Sequence, residues 1–172
     1  MRNISLPVLY KAALPPAESD FEEAADLRKL GGRVTAAALA IEELIVGILS
    51  STLLQEVREH KELVLGSILK SDWCTFSAKR KLLELAASHF QLLSGSAKSE
   101  LEGNLAKVMR YRNAFAHGSL VNNFEGHELH YFEGRPMQAR LDDAYFGELE
   151  RVFQAAWNQL LEIQSKLGGS GG

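Results

Sequence analysis

The strongest constraint on this chain is a hydrophobic repeat of three to four residues that recurs in separated stretches along most of its length. Apolar side chains at that spacing share one side of an α-helix, and such a face has to be buried against another element. One stretch starts near Ala17 to Asp20 and runs to about Leu54, with Leu39, Leu44, Ile45, Ile48 and Leu49 on its face and Glu42 and Glu43 set among them. Gly31-Gly32 interrupts it, which predicts a kink or two helices in near alignment. Glu56 to Lys70 repeats the pattern through Val57, Leu63, Val64, Ile68 and Leu69. Ser77 is placed to cap a helix through Leu82, Leu83, Leu85 and Ala86, and Ala97 to His117 follows the turn at Ser94-Gly95-Ser96. Asp142 or Asp143 is expected to cap a last helix carrying Phe146, Leu149, Val152, Phe153, Ala156, Trp157, Leu160 and Leu161.

Between the last two helices the pattern changes. Leu129, Tyr131 and Phe132 lead into Glu133-Gly134-Arg135-Pro136, and Met137, Ala139 and Leu141 follow. Short runs on either side of a glycine-containing turn predict a β-hairpin. The expected fold is therefore all-α, a helical bundle of about five helices with a small β-hairpin between the last two. Residues 1–16 hold three of the four prolines and are expected to form an irregular arm. Residues 17–167 are expected to form a single helical domain, since 172 residues at 46% hydrophobic suit one well-buried core. Residues 168–172 read as a Gly/Ser linker.

Charge and cysteine content narrow the function classes. A formal net charge of −3 means that nucleic-acid contact would need a local basic patch rather than the whole surface. A lone cysteine, Cys74, excludes an internal disulfide and a cysteine-based zinc site, and it fits a reducing compartment. No apolar run reaches the roughly 18 residues of a membrane span, so a cytoplasmic protein without membrane partners is expected. Of the five histidines, His127 and His130 are three apart in the expected hairpin, where they would face opposite ways. No metal site and no cofactor are expected.

The segment with the most chemistry is Arg110-Tyr111-Arg112-Asn113-Ala114-Phe115-Ala116-His117-Gly118. Projected at 3.6 residues per turn, Leu101, Leu105, Val108, Phe115 and Ala116 form one stripe, and Arg112 falls in the middle of it. A guanidinium in an apolar seam is costly to desolvate without an anion, which implies a carboxylate, a ligand phosphate or a cleft between protomers. Glu42 and Glu43 are the internal carboxylates placed to meet it. Asn113 and His117, four apart, share the adjoining flank. Lys79, Arg80 and Lys81 lie in the first turn of their helix, against the dipole, and form either a solvated basic face or a phosphate site. A purely structural alternative also fits: Gly118 as a left-handed residue after the helix, His117 at the negative helix end, and Arg112 lying along the surface.

Arg112-Asn113-Ala114-Phe115-Ala116-His117 resembles the signature of the HEPN superfamily (higher eukaryotes and prokaryotes nucleotide-binding domains): an arginine, a polar residue, then a histidine within four to six positions. Thr75-Phe76-Ser77-Ala78-Lys79 also resembles the segment leading into the penultimate helix of relatives near the mannitol operon repressor. The resemblance follows element order from about Asp20 to Leu161 and residue identity in those two segments alone. It implies a homodimer with the motif helices facing each other, and a metal-independent endoribonuclease, a toxin or defence effector. Arg112, His117 and Asn113 would be the catalytic residues, with Lys79 and Arg110 binding RNA and Glu42 and Glu43 in support. His117 would take the ribose 2′-hydroxyl proton and Arg112 would hold the phosphate, while a second His117 would protonate the leaving oxygen. The tyrosine modified in toxins with a nucleotidyltransferase antitoxin is replaced here by Ser119, although a cognate antitoxin or regulatory protein remains an expected partner. Two other classes also fit the resemblance: a non-catalytic regulatory or protein-interaction module like the mannitol operon repressor, and a nucleotide- or small-molecule-binding module.

Overall fold

A computed structural model describes residues 8–10, 18–54, 61–123 and 126–168. The order of elements is β1 (Val8–Tyr10), α1 (Glu18–Leu53), α2 (Lys61–Val64) running into a π-helical turn (Leu65–Leu69), α3 (Phe76–His89), α4 (Gly95–His117), β2 (Ser119–Asn123), β3 (Gly126–Phe132), β4 (Pro136–Arg140) and α5 (Asp143–Gly168). The protein is mainly α. Its strands depart from the expected hairpin: β2, β3 and β4 make a three-stranded antiparallel meander, with β1 parallel on the outer side of β2. Val8–Tyr10 therefore belongs to the sheet, within the arm expected to be irregular; the rest of residues 1–16, Val57 and the end of the linker lie outside the described residues.

Local chemistry explains several element ends. α1 passes through Gly31-Gly32 as one helix. Two glycines cost about 1 kcal/mol each in a helix, and the Thr35 hydroxyl, donating to the Gly31 carbonyl at 3.1 Å, holds that turn closed. The cap of α3 is Thr75, in extended conformation, whose Oγ1 accepts from the Ala78 N–H; Ser77 sits inside the first turn instead. At α5 the cap is Asp142, whose Oδ1 accepts from the Tyr145 N–H at 2.9 Å. Gly134, at φ +69°, supplies the left-handed residue that the β3–β4 turn requires.

The chain forms two compact units, each built from two stretches of sequence. One combines the described residues of Met1–Ala38 with Arg110–Arg151, and the other combines Leu39–Met109 with the described residues of Val152–Gly172. The first unit buries Val34, Ala38, Tyr111, Ala114, Phe115, Leu120, Val121 and Leu129. Tyr145 meets Tyr111 edge-on at 5.5 Å between ring centroids. The second unit buries Ile41, Ile45, Ile48 and Leu49 of α1, Leu83 and Ala86 of α3, Leu101, Leu105 and Val108 of α4, and Val152, Ala156, Leu160 and Ile163 of α5. Leu39, expected on the buried face of α1, is 48% exposed, because the face runs through Ala38 and Ile41. Leu161 likewise turns outward beside buried Leu160. Ala25–Leu53 is long and apolar enough to cross a membrane by length and composition, and 44% of its apolar stretch is buried inside the molecule.

Candidate active site at the end of α4

The buried arc of α4 runs Leu101, Asn104, Leu105, Val108, Tyr111, Ala114 and Phe115. From Val108 the next turn offers two neighbours to the stripe, and the fold uses Tyr111 rather than Arg112. Tyr111 fills the position with a ring that meets Tyr145 edge-on, and it avoids the cost of desolvating a guanidinium there. Arg112 consequently lies at the edge of the arc, half-buried, rather than at its centre. Its Nη1 donates to Asn113 Oδ1 at 3.1 Å, and among the described residues no carboxylate meets it. Asn113, His117 and Arg110 are exposed on the opposite side of the helix. Arg110 holds its guanidinium 5.8 Å from the Tyr111 ring centroid.

Gly118 fixes where His117 sits, though by a different device from a left-handed cap. The glycines at positive φ are Gly95, Gly126 and Gly134 among the described residues. Gly118 is required by crowding. A Cβ there would overlap the Ala114 carbonyl oxygen and lie 3.0 Å from both the His130 carbonyl oxygen and Leu129 Cδ1. The Gly118 N–H meanwhile donates to that Ala114 carbonyl at 2.8 Å, closing the helix one residue past the histidine. The chain then enters β2 directly, so the imidazole stands at a helix-to-strand junction.

The adjoining sheet brings a second histidine to this junction. Ser119 pairs with His130 across β2 and β3. His127 and Leu129 are buried, while Glu128 and His130 alternate with them on the other face. His130 Nε2 lies 2.8 Å from Glu128 Oε2. The spacing of His127 and His130 bears on metal binding and does not reveal this pair. The readable signal was Glu128-Leu129-His130 itself, two polar residues flanking an apolar one at strand spacing. Among the described residues no group of three or more His, Cys, Asp or Glu is placed to hold a metal ion.

The remaining expected site residues are elsewhere, in the second unit. Lys79 is 6% exposed and its ammonium lies 2.5 Å from Glu42 Oε1, so it does not present a charge to RNA. Glu42 answers Lys79 instead of Arg112. The three cations at the start of α3 thus include one neutralised internally, which relieves the unfavourable meeting with the helix dipole. Glu43 is exposed. The residues that stay together are Arg110, Arg112, Asn113 and His117.

No protein-family model, curated protein or solved structure matches this chain.

Proposed function

We propose that the protein is a metal-independent endoribonuclease of HEPN type, acting on cytoplasmic RNA as a homodimer and serving as a toxin or defence effector. The observation that carries this reading is the state of Arg112. It is a permanent cation, half-buried at the end of α4, oriented by a neutral amide and met by no carboxylate among the described residues, so its charge remains available to an outside anion. Exposed His117 stands on the same helix end. On a helix of 100° per residue the two project about 140° apart, which favours a phosphate held between two protomers over one clamped by a single copy.

In the proposed reaction neutral His117 accepts the proton of a ribose 2′-hydroxyl, and the 2′-oxygen attacks the adjacent phosphorus. Arg112 stabilises the charge that builds on the non-bridging oxygens, and Asn113 orients its guanidinium. The bond to the 5′-oxygen breaks, leaving a 2′,3′-cyclic phosphate and a 5′-hydroxyl. Arg110 is the remaining candidate contact to the RNA backbone.

The test is incubation with total RNA in chelator, followed by analysis of the new ends. Wild type is expected to yield cyclic phosphate and 5′-hydroxyl ends, and His117→Ala to cut about 10²–10⁴-fold more slowly. Equal rates for the two would return His117 to the role of a helix-end residue. One observation favours the regulatory reading: Leu63 and Trp73, on either side of the π-helical turn, are 65% and 67% exposed and suit contact with another protein. An inert wild type on every RNA would make that reading the better one.

A further inference from the structure

We infer that His130, held by Glu128, is the general acid that protonates the departing 5′-oxygen, so that acid and base come from the same chain. This rests on the ribonuclease reading of His117 and replaces the second protomer's histidine in that step. Three features of the first unit support it.

Proximity comes first. Ser119, two residues after His117, is the direct cross-strand partner of His130. Two extended residues and one strand spacing keep the Cα atoms of the two histidines within about 13 Å. Each imidazole extends several ångströms from its backbone, so the rings can stand on either side of one phosphodiester. The chain passes close to β3 at this junction: a Cβ at Gly118 would lie 3.0 Å from the His130 carbonyl oxygen and from Leu129 Cδ1.

Orientation is the second feature. Direct cross-strand partners share a face, and residues two apart on a strand do too, so Ser119, Glu128 and His130 lie on one face of the sheet. His127 and Leu129 take the buried face. His130 and Glu128 keep 31% and 24% of their side chains exposed, enough for His130 to meet a substrate.

The third is the carboxylate. Glu128 Oε2, 2.8 Å from His130 Nε2, leaves Nδ1 as the ring nitrogen that carries a proton to substrate. A carboxylate on one imidazole nitrogen fixes the orientation of the ring. The step balances. His117 takes the 2′-hydroxyl proton, the 2′-oxygen bonds phosphorus, the bond from phosphorus to the 5′-oxygen breaks, and the proton on His130 Nδ1 passes to that oxygen. One proton has entered and one has left, with no metal or co-reactant.

The experiment uses the full chain, in chelator, on an oligoribonucleotide cut at one mapped phosphodiester and on its analogue with sulfur in place of the bridging 5′-oxygen. A thiolate leaves without an acid, so the analogue reports whether protonation has been lost. His130→Ala is expected to slow the natural substrate about 10²–10⁴-fold while staying near wild type on the sulfur analogue. His117→Ala should slow both, and Glu128→Gln should slow the natural substrate alone by a smaller factor. If His130→Ala does not fold, His130→Gln fills much of the ring's space and lacks the transferable proton. An unaffected natural rate, or equal losses on both substrates, overturns the assignment while the ribonuclease reading stands. An inert wild type overturns both.

Discussion

Lys79 shows how burial can reverse the meaning of a charge. With Glu42 it forms an ion pair whose side chains are 8% and 15% exposed, so removing one partner strands the other. Lys79→Met is expected to cost about 3–5 kcal/mol of unfolding free energy, read by urea denaturation, and Glu42→Gln should cost a comparable amount. Lys79→Met combined with Glu42→Leu should regain most of the loss, because neither charge is then left buried alone. RNA cleavage per folded molecule should be unchanged in that double variant if Arg110 and Arg112 make the contacts. Arg112→Ala should behave oppositely, lowering the cleavage rate about 10²–10³-fold with the urea midpoint nearly unmoved. The sequence placed Arg112 correctly within a chemically rich helix end and misjudged its angle. Both Tyr111 and Arg112 are compatible with the stripe at helical spacing, and the edge-on contact with Tyr145 favours the tyrosine. No local pattern announces that a residue 34 positions later will supply that ring.

Elements with a strong period were legible in the sequence, while the sheet was legible in part. The β3–β4 hairpin was visible because Gly134 punctuates it and apolar residues alternate around it. β2 escaped because Ser119-Leu120-Val121-Asn122-Asn123 has two adjacent apolar residues and both are buried, which erases the alternation that marks a half-exposed strand. β1 escaped for a related reason: three residues pair with β2 in a parallel register that no nearby turn specifies. The start of α5 carries a testable consequence of the packing between helix and sheet. Burial, with the Tyr111 and Tyr131 phenols adding and Arg110 opposing, pushes the Tyr145 phenol well above its ordinary value of 10.0. The folded state thus keeps a proton that the unfolded chain releases near pH 10. That stabilisation is fully present below this pH and is lost as the pH rises toward the folded value. Urea midpoints measured from pH 8 to about 11.5 should fall more steeply for wild type than for Tyr145→Phe.

At the scale of the whole molecule, the proposed function requires two copies. Light scattering at tens of micromolar should give twice the chain's mass (a concentration roughly well above obligate-dimer dissociation constants), and a monomer there would remove the composite phosphate site. The described parts of the chain also fix how it can be dissected. Passage between the two compact units occurs at 38–39, 109–110 and 151–152, and each crossing falls inside a helix: α1, α4 and α5 respectively. A protease needs an extended, accessible backbone, and a hydrogen-bonded helix interior offers none. Native digestion should therefore release neither unit intact, and expressing either half as one continuous piece is impossible because each is discontinuous in sequence. Cutting within the described residues therefore offers no way to switch one unit by releasing the other.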